Sequence, residues 1–334
     1  PAKRSRSLHL DHIISIDWGF RNGVPPEMIA DTENLRLLGA KQNIAKSALV
    51  FDFNLLKRLT EKYSVPIKIN SDSGQNPAIS MLMKRIPELL VEIDAVAGRV
   101  STPKQNIQII DVDNPTAPLD NHIVIFSDEI VNASSADRRL RIIVERILHK
   151  EGLHTEKIFA RKCSVAELDA LTASRFLDAN HFQGRGAARI KLGLKHGDEL
   201  VAVMTFGKPR FAKKYDWELI RYATRGGVTV VGGASKLLAY FRNMFGGTII
   251  TYSDRRWGNG GLYAALGFKK IATSKPNYWW CKNGERISRY QTQLNLLPSL
   301  LGTQYNSALS ENDNMRNAGW KKIQDLGNDV FVIE

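Results

Sequence analysis

The stretch VVGGASKLLAYFRNMFGGTIITYSD, residues 230–254, decides the fold class. Gly232 and Gly233 punctuate its start, and Gly246 and Gly247 stop what lies between. Leu237, Leu238 and Phe241 recur at helical spacing, so the interval reads as a helix with one apolar face. TIITYSD then reads as a short buried strand. Upstream, AARIKLGLKHGDELVAVMTFG (187–207) alternates around HGDE as a hairpin, and YDWELIRYAT (215–224) adds a third strand. VAELDALTASRFLDAN (165–180) reads as a helix. Downstream, GGLYAALGFKKIA (260–272) is a short helix ending at Gly267 and running into a strand, and NYWWCKN (277–283) is a strand. Residues 163–295 are therefore expected to form one α/β unit, a mixed sheet with flanking helices.

At 334 residues the chain is too long for one ordinary core, which predicts two or three domains. No run of about 18 apolar residues occurs, so no membrane span and no membrane partner are expected. Cys163 and Cys281 are the only cysteines. They exclude a disulfide framework, a disulfide-linked partner and a Cys-rich zinc site, and they fit a reducing cytoplasm. The net charge of +13 calls for a polyanionic partner, and double-stranded DNA is the expected one.

The remaining segments divide at changes of pattern. Residues 51–135 form an intermediate α/β segment in which NIQIID and HIVIFSDEIV read as strands. ADRRLRIIVERILHKEG opens a basic amphipathic helix and connector over 136–162, with Leu140, Val144 and Ile147 on its apolar face and Arg138, Arg139 and Arg141 on the other. The tail, 296–334, holds a helix capped by Ser310 and a hairpin turning at Gly327 and Asn328.

At the other end stands LHLDHIISIDWGFRNGVPPEMIADTENLRLLGAKQNIAKSA, residues 8–48. Asp11-His12 closes a strand, Asn34 opens the next, and Asn43 and Lys46 follow on a helix. This order and spacing resembles the HNH endonuclease family in its H-N-N form. The resemblance implies a ββα-metal nuclease unit over residues 1–50. His12, which titrates near neutrality, would be the general base. Asp11 and Asn43 supply oxygen ligands that suit Mg²⁺ or another divalent ion. Asn34 would brace the loop holding His12, and Lys46 would reach a phosphate oxygen.

The C-terminal half is similar to the C-terminal region of phage-encoded Hef-like homing endonucleases, from about Phe159 to Tyr290. Its element order also resembles the GNAT acetyltransferase fold. The overall expectation is an α+β multidomain chain: an N-terminal ββα-metal unit, a mixed α/β middle segment and a C-terminal GNAT-like mixed sheet. The expected function is that of a metal-dependent DNA endonuclease, a homing enzyme acting in the cytoplasm of a phage-infected bacterial cell. Arg138, Arg139, Lys208, Arg210, Lys213, Lys214, Arg255, Arg256 and Trp257 are its candidate DNA contacts, cations interleaved with aromatic residues. Gly232, Gly233, Ser235 and Lys236 form a candidate phosphate or cofactor loop. That loop carries the alternative, a DNA-modifying GNAT-type acyltransferase using acyl-CoA, which is less favoured; a non-catalytic DNA-binding protein is the third reading.

Overall fold

The structure is a computed structural model that describes residues 8–12, 16, 24–39, single positions between 55 and 86, 92–94, 98–131, 136–154 and 156–334. They belong to two compact units, residues 1–109 with 150–153, and residues 110–149 with 154–334.

In the first unit, β1 (Leu8–His12) pairs antiparallel with a strand 22 residues further on. The described part of the connection holds α1 (Pro26–Ile29), with Pro at its first position, where a missing N–H costs nothing. A single 3₁₀ turn, Thr32–Asn34, follows and is capped by Asp31. β2 (Leu35–Gly39) starts directly after it, so Asn34 ends the turn rather than opening the strand. The helix expected after β2 lies outside the described residues. β3 (Glu92–Asp94), β4 (Arg99–Thr102) and β5 (Gln105–Ile110) form an antiparallel meander. It turns at Gly98, whose φ is +65° and where a Cβ would lie 2.3 Å from the Ile109 carbonyl oxygen. Only glycine fits there.

The second unit begins with β6 (His122–Phe126). The run HIVIFSDEIV is not one strand to its end. The Glu129 carboxylate accepts the Phe126 N–H and wraps residues 127–129 into a 3₁₀ turn. α2 (Ala136–Glu151) follows, with Leu140, Ile143 and Ile147 buried. After β7 (Glu156–Phe159) comes β8 (Ser164–Glu167) and then α3 (Ala170–Asn180). The helix expected over 165–180 thus begins five residues later, and its first three residues belong to β8. Asp169 sets the boundary, because its side chain accepts the Thr172 N–H at 2.8 Å as an N-cap.

β9 (Ile190–His196), β10 (Glu199–Gly207), β11 (Trp217–Thr224), β12 (Val228–Val231), α4 (Gly233–Phe245), β13 (Ile249–Asp254), α5 (Gly261–Ala265) and β14 (Lys269–Thr273) complete the expected α/β series. β15 (Tyr278–Lys282) and β16 (Glu285–Ser288) lead into α6 (Leu297–Leu301), α7 (Glu311–Asn317), β17 (Lys321–Gln324) and β18 (Asn328–Ile333). Seven strands form one mixed sheet in the order β14-β18-β13-β11-β10-β9-β8.

Two tail expectations change. β17 and β18 do not pair as a hairpin: β17 joins β15, while β18 enters the large sheet between β13 and β14. The alternating Val330, Phe331 and Val332 side chains are buried, which an interior strand provides and an edge hairpin would not. The sheet is therefore not complete within residues 163–295. β7, from the connector, also pairs in parallel with β12.

α4 covers one face of the sheet. Phe241 stacks on Phe206 with ring centroids 3.6 Å apart, and Trp217 meets it edge-on. Both phenyl rings are fully buried, each contributing about 2–3 kcal/mol of apolar transfer. α3 covers the other face, with Ala173 and Leu177 against Val203 and Ala223. No described helix is long and apolar enough to cross a membrane.

Candidate functional sites

The β1–β2 register sets Asp11 opposite Arg36 and His12 opposite Leu35. His12 is half-buried. Asn34, the residue before Leu35, is completely buried. Its Nδ2 donates to the Ile29 carbonyl at 2.8 Å, and its backbone N–H donates to the Asp31 carbonyl at 2.9 Å. Asp31 accepts from Lys62 Nζ at 2.7 Å, the Glu33 N–H at 2.9 Å and the Tyr63 hydroxyl at 2.8 Å. Those donors, Lys62 first, hold its carboxyl down to about 2. Together they fix residues 29–34, the segment that returns the chain beside His12. The buried Asn34 amide thus ties the end of the 3₁₀ turn back to the last residue of α1.

Asn43 and Lys46 lie outside the described residues. Among the described residues no three His, Cys, Asp or Glu side chains gather as a metal group. The proposed pair, a carboxylate and an amide oxygen, has the hard-donor chemistry that Mg²⁺ takes.

The second candidate is the start of α4. Gly232 takes a left-handed conformation, φ +75°. At Gly233 a Cβ would sit 2.8 Å from Val230 Cγ1 and 3.1 Å from the Tyr222 hydroxyl, so this glycine serves close helix–strand packing. Phe159, Ala160, Arg161, Val231, Gly232, Ser235 and Lys236 line a concavity of about 480 Å³ there. Two of the donors at this loop are already engaged inside the unit. Lys236 Nζ donates to the Ala160 and Cys163 carbonyls at 3.0 and 2.6 Å. The Ala234 N–H bonds the Tyr222 hydroxyl, whose pKa burial raises to about 12. Ser235 and Arg161 remain exposed beside the helix start. With Lys236 and the Ala234 N–H engaged, fewer donors face the concavity than the sequence loop offers.

The basic candidates separate into two groups. Arg138 donates to the Asp178 and His181 carbonyls at 2.8 and 3.2 Å, closing the end of α3. Arg255 binds Asp120 at 2.6 Å and the Leu326 carbonyl at 2.9 Å. Arg256 is buried, paired with Glu129 at 3.0 Å and Asp254 at 3.3 Å. Burial disfavours its charge, and the two carboxylates more than offset that. Trp257 is buried against Phe182, with ring centroids 4.8 Å apart, and Arg139 lies over that Phe182 ring. Arg256 and Trp257 are therefore spent inside the unit, where a DNA strand cannot reach them. In contrast, Lys208, Arg210, Lys213 and Lys214 are exposed on the loop between β10 and β11.

β11 and β13 pair in parallel only at Trp217–Ile249 and Glu218–Ile250. In the same unit Arg146 lies over Trp257, and the charges of Arg146 and Arg221 act on both Tyr263 and His181. Burial, then the charges of Arg221, Arg146 and Arg138, push His181 down to about 3. Its neutral Nδ1 accepts the Gln183 N–H at 3.2 Å. Sequence reading passed over Arg146, which carries no signal beyond a basic helix face. It also passed over Phe211, whose signal was available: an aromatic residue among four cations within seven positions, 208–214.

No protein-family model matches the chain, and no curated protein does. Among solved structures it is similar to one described as histone acetyltransferase HPA2 and related acetyltransferase from Corynebacterium glutamicum, at 16% identity and a TM-score of 0.27. That match covers 34% of this chain and 88% of the other, and a likeness this distant carries no argument about activity.

Proposed function

We propose that the chain is a metal-dependent DNA endonuclease of the H-N-N type, cutting from its first unit and gripping DNA with the second. The observation that carries the reading is Asn34, fully buried with its amide on the Ile29 carbonyl, one residue from the Leu35–His12 pair. A loop brace at that position is what the H-N-N pattern asks of its middle residue. His12 would take a proton from the attacking water, and Lys46 would meet the phosphate. A divalent cation held by Asp11 and Asn43 would supply charge relief at the phosphate.

The test is cleavage of duplex DNA with Mg²⁺ or with chelator, comparing the parent chain and His12→Ala. Cleavage should need the metal, and His12→Ala should lose about 10²–10⁴-fold in rate with DNA affinity retained. Cutting at the parental rate by His12→Ala would sink the assignment.

A second reading, acyl transfer by the second unit, draws on the mixed sheet, its one short parallel pair and the Gly-opened α4. The engaged donors of Lys236 and Ala234 count against it. Melting the same protein with acetyl-CoA separates the two. A bound donor at 100 times its dissociation constant would stabilise by about 2.7 kcal/mol, and no shift is expected.

A further inference from the structure

The loop KPRFAKKYD, residues 208–216, presents an aromatic side chain in a way that neither its own core nor the nuclease site uses. The Phe211 side chain is 74% exposed. The loop around it is held at several points. Glu218, buried at the start of β11, accepts the Arg210 backbone N–H at 2.9 Å, and its Oε1 takes Arg210 Nε and Nη2 at 3.1 and 2.8 Å. Ala212 and Tyr215 pack on Ile250, Val330 and Val332. Asp216 accepts the Thr248 N–H at 2.8 Å and its hydroxyl at 2.9 Å. Between these anchors the Phe211 ring meets the edge of Tyr252, centroids 6.2 Å apart, with the Arg210 guanidinium 5.6 Å from it.

A floppy loop would fold such a ring onto the nearest apolar surface. This loop is tied down and still leaves the ring in water, so the ring is preorganised for something that covers it. The charge around it states the chemistry of that partner. Lys208 and Lys213 are exposed and make no ion pair among the described residues, and Lys214 lies over Tyr215. A flat apolar face ringed by cations matches a nucleobase flanked by its phosphates.

We infer that Phe211 is a stacking platform for an unpaired DNA base, with Lys208, Lys213 and Lys214 holding the neighbouring phosphates. Arg210 is a positioning residue, because its fork is committed to Glu218. The inference rests on the DNA-acting reading and adds to its duplex partner an unpaired base.

The experiment titrates the full chain, in chelator so that nothing is cut, into single-stranded and duplex oligonucleotides carrying one 2-aminopurine. The parent chain should quench the probe in the single strand more than in the duplex. Phe211→Ala should remove that quenching and weaken single-strand binding roughly tenfold, and Phe211→Trp should restore both. Because the ring is exposed, the melting temperature of Phe211→Ala should match the parent, which excludes misfolding as the cause. Phe211→Ala binding within twofold of the parent with quenching intact would overturn the stacking role alone. Failure of the parent chain to bind any DNA would overturn the DNA-acting reading with it. Quenching confined to the duplex would overturn the choice of an unpaired base.

Discussion

Arg255-Arg256-Trp257 and the loop of residues 208–214 are built from the same kinds of side chain, cations beside an aromatic ring, and they end in opposite places. The first is folded inward, with Arg256 5% exposed and Trp257 6%. The second stands in solvent around Phe211. What separates them is the supply of carboxylates. Arg256 meets two, Glu129 and Asp254, in hydrogen-bonding range. The lysines of the loop meet none among the described residues, and its one arginine has a single partner, Glu218. A basic-aromatic run thus becomes an internal joint where the fold delivers acids to it, and a contact surface where it does not.

The sharpest way to break this contrast is to remove the cation of the joint. Arg256→Ala leaves Glu129 and Asp254 without it, and chemical denaturation should show a loss of about 3–5 kcal/mol. An unchanged midpoint would mean the joint is not what holds Trp257 inside.

A smaller effect comes from pH. His181 borders the joint, and its folded pKa of about 3 lies below the ordinary 6.5. Between those values the unfolded chain binds a proton that the folded chain refuses. The stability from the neutral imidazole is full above pH 6.5 and falls as pH drops toward 3. By about pH 4.5 the loss should be roughly 2–3 kcal/mol, and His181→Asn should flatten that part of the stability profile. A profile identical to the parent's would place His181 in water instead.

The smallest stability effect belongs to the loop. Lys213→Ala with Lys214→Ala should move stability by less than about 0.5 kcal/mol, yet lower the salt slope of DNA binding by about one for each lysine. A melt that shifts while the salt slope stays would reverse the roles of the two regions.

Much of the second unit was legible because its signals are local. The hairpin of β9 and β10 needs only alternation and the HGDE turn, and α4 needs only its apolar face and flanking glycines. The fate of Arg256 was not legible, since Glu129 lies 127 residues away in sequence. Nor was the engagement of Lys236, because the carbonyls it binds belong to residues 160 and 163, more than 70 positions earlier. The tail misled for the same reason. Gly327 does take a left-handed conformation, φ +73°, but Asn328 already opens β18, and local chemistry says nothing about which strands that strand joins. In the first unit, the bond from Asn34 to the Ile29 carbonyl follows from a 3₁₀ turn that periodicity does not reveal.

The place of β18 has a consequence for how the sheet is assembled in time. Thr273 on β14 and Asp329 on β18 bond at 2.8 Å across a sequence gap of 56 residues. Until residues 328–333 arrive, β13 and β14 cannot belong to one sheet, and each keeps a row of unpaired amides and carbonyls. The intervening chain holds a small sheet of its own, β16-β15-β17, between β14 and β18 in sequence. Closing the large sheet is therefore a non-local event, of the slow kind that loop entropy imposes. A nascent or truncated chain short of β18 offers two sticky edges to any passing strand, so the same residues that complete the sheet also protect the chain from its neighbours.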